Sequence, residues 1–220
     1  MYVVVNAAMS ADGKLSTRER EQVEISGPAD FDRVDALRAE SDAVMVGVGT
    51  VLADDPSLTV DDDARRERRR DAGKPENPAR IVADSRVRTP HDARVLDDRA
   101  DTYLLTSEAA PQDFVAEISE AGAEVVSAGE QQVDLPEALA QLEDHGIERL
   151  MVEGGGELIF SLFAADMVDE LSTFVGPAVI GGWKAPTLAD GDGFVGEFPE
   201  LSLRDVERVD DGVLIRWDVP

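Results

Sequence analysis

Short β-branched apolar runs recur along this chain with helix-like segments between them, and that alternation restricts the fold more than any other feature. "YVVVNAAM" (2–9), "DAVMVGV" (42–48), "RIVAD" (80–84), "TYLLT" (102–106), "EVVSA" (124–128) and "RLMVE" (149–153) are too short for helices. Continuous apolar runs of this length suit strands covered on both faces. Between them, "PADFDRVDALRAES" opens on a proline and spaces Phe31, Val34 and Leu37 as a helix would. "PQDFVAEISEAG" and "LPEALAQLEDHG" read as helices closed by Gly122 and Gly146. After "GGGELIFSLFAAD" the pattern changes to strands, "ELSTFVGPAVI", then "LSLRDVERV" and "VLIRWDV" joined by an Asp-Gly turn at 210–212. The expectation is an α/β fold: a mostly parallel central sheet flanked by helices, finished by a C-terminal antiparallel hairpin.

Two hundred and twenty residues with 43% apolar content suffice for one substantial core, so residues 1–220 are read as a single domain. The absence of cysteine excludes disulfides, thiolate catalysis and cysteine-ligated zinc, and His91 and His145 alone cannot build a histidine-rich metal site. No metal is expected. No apolar run approaches the roughly 20 residues that span a bilayer. The segment "MYVVVNAAMSADGK" lacks a basic leader, so it reads as a first strand of a cytoplasmic protein and not as a signal peptide. Acidic residues outnumber basic ones by 47 to 21, a net charge of −26, with Lys14, Lys74 and Lys184 the only lysines. Such a surface repels nucleic acid and anionic membranes. Because the acids are spread along the whole chain, they read as adaptation to high salt, the habit of a halophile, and not as a docking patch. The stretch 61–78, "DDDARRERRRDAGKPENP", reads as a solvated loop or short helix whose arginines are balanced by neighbouring acids.

Four strand ends carry unusual chemistry. "DAVMVGVGTVLADDPSLTV" leaves a buried run through Gly47, Gly49 and Thr50 into Asp54, Asp55 and Pro56, a backbone shaped to meet a ligand. "LMVEGGGELIF" passes from a strand through three glycines into a helix, where backbone N–H groups and the helix dipole favour an anion such as a pyrophosphate. It is not the G-x-G-x-x-G fingerprint. "MSADGK" places Ser10, Asp12 and Gly13 in a turn after the first strand. In "RIVADSR" a hydroxyl, Ser85, stands beside a guanidinium, a pairing suited to an adenosine 2′-phosphate. In an open α/β sheet such ends share an edge, which raises a ligand site above ordinary turn chemistry.

"AMSADGK", "LRAESDAVMVGVGTVLADDPSLTV", "RIVADSRVRTP" and "MVEGGGELIFSLF" together resemble the riboflavin-pathway reductases, which have the dihydrofolate-reductase-like fold. The likeness runs from about residue 3 to residue 195 and is nearest to the free-standing archaeal branch. It implies NADPH-dependent reduction, with NADH the alternative cofactor. The implied substrate is 2,5-diamino-6-ribosylamino-4(3H)-pyrimidinone 5′-phosphate, whose ribosyl chain would become ribityl.

By the same resemblance Thr50, Asp54, Ser85, Gly154, Gly155, Gly156 and Glu157 bind the cofactor, and Arg38, Leu58 and Glu153 bind the substrate. Without it, Arg38 reads as a surface ion pair with Asp35 or Glu40. Asp12 and Glu153 are the polar candidates for a general acid. Departures stand out. Asp61 occupies a position where the fused bacterial enzymes have arginine, and the arginines that follow are an available substitute. Asn6 stands where those enzymes often have lysine, and Glu24 near the place of an aromatic. A dihydrofolate reductase or other pterin or pyrimidine reductase, and a non-catalytic nucleotide-binding regulator, are the rival readings. Trp183, Phe194, Phe198 and Trp217 crowd the last segment, and aromatics concentrate at interface centres, so a homodimer is expected.

Overall fold

The computed structural model describes all residues, 1–220. Its strands are β1 (Tyr2–Ser10), β2 (Ala43–Gly47), β3 (Ala79–Ala83), β4 (Thr102–Thr106), β5 (Ala123–Ser127), β6 (Arg149–Gly154), β7 (Glu170–Gly176), β8 (Ser202–Val209) and β9 (Gly212–Asp218). The helices are α1 (Pro28–Glu40), α2 (Val48–Asp54), α3 (Asp63–Asp71), α4 (Gln112–Glu120), α5 (Leu135–Asp144) and α6 (Gly156–Ala164). All nine strands belong to one sheet. The residues group into two compact units, Met1 with Asp35–Met151, and Tyr2–Val34 with Val152–Pro220.

In the first unit β2, β3, β4 and β5 pair in parallel in chain order, so their carboxyl ends share an edge. Every residue of β2 from Ala43 to Val46 is buried, as expected of a strand covered on both faces, whereas in β5 only Ala123 and Val126 are buried. Asp134 starts α5 by accepting the Glu137 N–H at 3.0 Å, and α4 and α5 give way to Gly122 and Gly146. The stretch 61–78 is more ordered than its composition suggests. Asp62 caps α3 through the Arg65 N–H, and Arg69 is buried with its guanidinium on the carbonyls of Ala39, Ser41 and Pro75.

In the second unit β1 and β7 are parallel, with Val4 opposite Glu170, and β7, β9 and β8 form the antiparallel end. The hairpin turns on Asp210 and Asp211, with Val209 paired to Gly212, so the glycine begins β9 and is not the turn itself. Its own constraint is packing: a Cβ there would run into the Phe174 ring and the Val175 carbonyl. A register irregularity between Leu203 and Asp205 lets Arg204 reach Glu170 at 2.6 Å and pair with Asp218. Helix α1 corrects the apolar spacing read from sequence, since Phe31 is 53% exposed while Asp30 and Asp35 are buried. Its inward positions are charged and paired. No helix is long and apolar enough to cross a membrane.

Candidate functional site

In the first unit β2 passes directly into α2, which begins at Val48, so Thr50 lies within its first turn. Val48 and Val51 anchor the helix in the core, leaving Gly49 and Asp54 exposed and Thr50 half-buried. Asp54 is open to solvent on one side, yet enough protein crowds its carboxyl to push its pKa up. Asp55 ends the helix in the left-handed region and accepts the Arg94 N–H at 2.8 Å.

Leu58 is 1% exposed and has a φ of +53°, a conformation that costs a branched side chain of order 1–3 kcal/mol and persists only when its surroundings fix it. Those surroundings are visible. Arg38 donates to the Thr59 carbonyl at 3.1 Å, Asn77 accepts the Val60 N–H at 3.0 Å, and Asp35 accepts the N–H groups of Asp61 and Asp62. Arg38 and Leu58 are therefore brought to one place. Asp35 pairs with Arg65 at 2.9 Å, not with Arg38. Burial pushes the Asp35 carboxyl up, but the Asp61 N–H and Arg65 outweigh it and hold the pKa below the usual range. Arg66 folds back on the carbonyls of Val60 and Asp61, and Arg70 pairs with Glu76. Four of the five arginines thus brace backbone or pair with acids. Sequence reading missed Asp35 and Arg69, whose partners lie some thirty positions away.

At the end of β3, Asp84 is fully buried and accepts from Arg88 N, Thr89 N and the Thr89 hydroxyl at 2.6, 2.7 and 2.8 Å. It ties residues 84–89 into a loop in which Val87, buried and β-branched, has a φ of +54°. Ser85 accepts the Val133 N–H on its hydroxyl at 3.0 Å, and its carbonyl accepts the Ser107 hydroxyl at 2.9 Å.

In the second unit β6 ends at Glu153 and Gly154, and Gly155 starts α6. Gly154 and Gly155 have φ of 150° and 94°, a left-handed path that glycine takes without strain and that leaves the turn itself without side chains. A Cβ on Gly156 would lie 2.5 Å from the Thr187 carbonyl and 2.6 Å from an Asp190 carboxylate oxygen. Glu157, in the first turn of α6, is exposed. Glu153 is half-buried.

At the end of β1, Asp12 accepts the Ser10 hydroxyl at 2.6 Å and the N–H groups of Ile180 and Gly181 at 3.0 and 2.7 Å. These bonds, the Ser10 hydroxyl foremost, lower its pKa to about 2. At neutral pH it is an ionised staple for the loop after β7, with no proton to give. A buried network unread in the sequence is built on Asn6 of the first strand. Arg33 donates to Asn6 at 2.9 Å, Asp30 at 2.8 Å and Ser172 at 3.3 Å, and Ser26 donates to Asp30 at 2.5 Å. The cationic head that Asn6 lacks is thus supplied from α1. Only the polar i, i+3 spacing of Asp30 and Arg33 could have signalled it. Of the terminal aromatics, Trp183 and Phe198 are exposed, Phe194 packs on Phe160 with ring centroids 5.0 Å apart, and Trp217 is half-buried.

A family model described as "RibD C-terminal domain" matches residues 1–215. A 2,5-diamino-6-ribosylamino-4(3H)-pyrimidinone 5′-phosphate reductase of Archaeoglobus fulgidus is 47% identical, the match covering 97% of this chain and 96% of that protein. The protein of the same name from Methanothermobacter thermautotrophicus is 49% identical over 87% of this chain and 85% of its own. Among solved structures, a pyrimidine reductase-like protein from Corynebacterium diphtheriae superposes with a TM-score of 0.87 at 18% identity, covering 100% of this chain and 92% of that one. That likeness is one of fold.

Proposed function

Because this chain belongs to the RibD C-terminal domain family, we propose that it reduces 2,5-diamino-6-ribosylamino-4(3H)-pyrimidinone 5′-phosphate to its ribityl form in riboflavin biosynthesis. One observation carries the reading: identity of 47–49% to two reductases of that name over most of the chain. The cofactor is NADPH, which when bound supplies the hydride that adds to C1′ of the sugar. The protein's task is then to hold two ligands face to face.

Gly154, Gly155 and Gly156, with the backbone of Glu157, receive the pyrophosphate, and a turn stripped of side chains fits that role. Thr50 and Asp54 on α2 and Ser85 after β3 contact the remainder of the cofactor. Arg38 and Leu58 hold the ribose phosphate, and the bond from Arg38 to the Thr59 carbonyl fixes the guanidinium against the loop that carries Leu58. Glu153 binds the aminopyrimidine and is the remaining candidate for protonating the ring-opened substrate. Residues 1–220 act as one reductase domain in the cytoplasm. The unit is a homodimer, supported by the exposed Trp183 and Phe198 and by the edge strand β8, where Leu203 and Val206 face solvent.

The test is to mix protein, NADPH and the ribotide and follow the cofactor's absorbance. Oxidation that depends on the ribotide supports the proposal. Oxidation with dihydrofolate instead, or binding without oxidation, favours the rival pterin reductase or regulator.

A further inference from the structure

Between Gly176 and Ser202 the chain forms no helix or strand. Structureless connections of that length inside a folded domain usually serve a ligand site. Part of this one is laid along α6. The Thr187 carbonyl and the Asp190 carboxylate occupy the place into which a Cβ on Gly156 would project, and the Asp190 N–H donates to the Gly156 carbonyl at 3.0 Å. One residue on, Gly191 has a φ of +113° and lies against the Phe160 ring, where a Cβ would stand 2.6 Å away. Phe194 packs on the same ring. Residues 187–194 therefore follow the first turns of α6 from Gly156 to Phe160.

Asp190 gives this segment its shape. Its carboxylate accepts the Thr187 hydroxyl at 2.6 Å and the Thr187 N–H at 3.2 Å, which closes the turn 187–190. On its other side Thr187 is held by the loop after β1. It bridges Lys14 in antiparallel register, the Leu15 N–H donates to the Pro186 carbonyl at 2.9 Å, and the Lys14 ammonium rests on the Ala185 carbonyl at 3.3 Å. Thr187 is thus wedged between that loop and Gly156, and the side chain that Gly156 lacks is what admits it. All these groups belong to the second unit.

The placement bears on ligand binding because Gly154 and Gly155, at positive φ, bring no side chains that would restrict the turn. Backbone donors bind an anion well only when their directions are set beforehand by the surrounding shell. We infer that Asp190 is a positioning residue for the cofactor: by clasping Thr187 against Gly156 it holds the glycine turn in the conformation that receives a pyrophosphate. The inference rests on the dinucleotide reading above and adds to it the segment that preorganises the turn. Asp190 acts through Thr187 and Gly156 and not by touching the cofactor. Its charge opposes a neighbouring pyrophosphate, so the gain lies in its hydrogen bonds.

The experiment compares wild type, Asp190→Ala, Asp190→Asn and Thr187→Val. Calorimetry at one salt concentration gives the affinity for NADP+ and, separately, for the ribotide, and steady-state kinetics give the two KM values. In Asp190→Ala the affinity for NADP+ should fall roughly fivefold to thirtyfold, with a smaller fall in Thr187→Val, while the affinity for the ribotide holds. The KM for NADPH should rise accordingly and that for the ribotide should not. Asp190→Asn keeps an acceptor and loses the charge, so it should bind NADP+ at least as tightly as wild type. Unchanged NADP+ affinity in Asp190→Ala, an asparagine variant as weak as the alanine one, or an equal loss for both ligands overturns the inference and leaves the reductase reading standing. A wild type that binds NADP+ but not the ribotide overturns the reductase reading alone, and one that binds neither overturns both.

Discussion

Replacing Gly156 by alanine tests the claim that the glycine turn is fitted to the segment lying on it. The new Cβ would stand 2.5 Å from the Thr187 carbonyl oxygen, and ordinary contact begins at 3.4 Å, so about 0.9 Å must be found. The carbonyl is backbone and cannot rotate away. Asp190, the second neighbour, accepts the Thr187 hydroxyl at 2.6 Å and the Thr187 N–H at 3.2 Å, while its own N–H donates to the Gly156 carbonyl at 3.0 Å. Residues 187–190 therefore move as a block. Overpacking of this kind costs about 1–3 kcal/mol. Alanine recovers part of it, up to about 1 kcal/mol, because it favours the helix that Gly156 begins. The net is a loss of about 1–2 kcal/mol, or roughly 2–8 °C in Tm for a chain of this size. Differential scanning calorimetry at fixed salt decides it. An unchanged or raised Tm would show that helix propensity dominates and that the contact with Thr187 is not a constraint.

Other expectations follow from the same contacts. Asp35→Ala removes the carboxylate that pairs with Arg65 and that accepts the N–H groups of Asp61 and Asp62. It should cost about 3 kcal/mol in urea unfolding and raise the KM for the ribotide; a stable variant with normal KM would argue against the brace. Asp12 has a folded pKa of about 2 against an ordinary 3.8, so its contribution is complete above about pH 4 and is lost as pH falls through about 2. The Tm difference between wild type and Asp12→Asn should accordingly shrink across that window, and a difference independent of pH would assign the staple to shape alone. With a net charge of −26, stability should climb from dilute buffer to molar potassium chloride with or without ligand, and a flat salt profile would remove the halophile reading.

The α/β class was legible because short β-branched runs alternate with helix-like segments, whereas the dihydrofolate-reductase-like fold was implied only by the resemblance. β2 and β3 are apolar enough to be recognised without their neighbours. Helix α3 could be read only as a loop or a short helix, because its signal is one capping aspartate followed by charges, which carry no apolar period. In α1 the period was present but pointed the wrong way, since Phe31 faces water while the buried Asp30 and Asp35 are ion-paired, Asp30 with Arg33 on the same helix and Asp35 with Arg65, distant in sequence. The glycine turn after β6 and the hydroxyl of Ser85 could be named from sequence. What braces them could not, because Thr187, Asp190 and Val133 meet them only through the fold.

The pairing of β1 has a consequence for how the chain is made. Its sheet neighbours, β6 and β7, come from the last third of the sequence, whereas β2 to β5 pair with successive neighbours as they leave the ribosome. Contacts of long sequence separation form late, because loop closure must be completed before they contribute. The apolar strand "YVVVNAA" is consequently synthesised first and waits, unpaired, through most of translation. Nascent chains arrested before Glu170 should be the species that chaperones hold, and the excess of acid in the intervening residues keeps such chains apart while they wait.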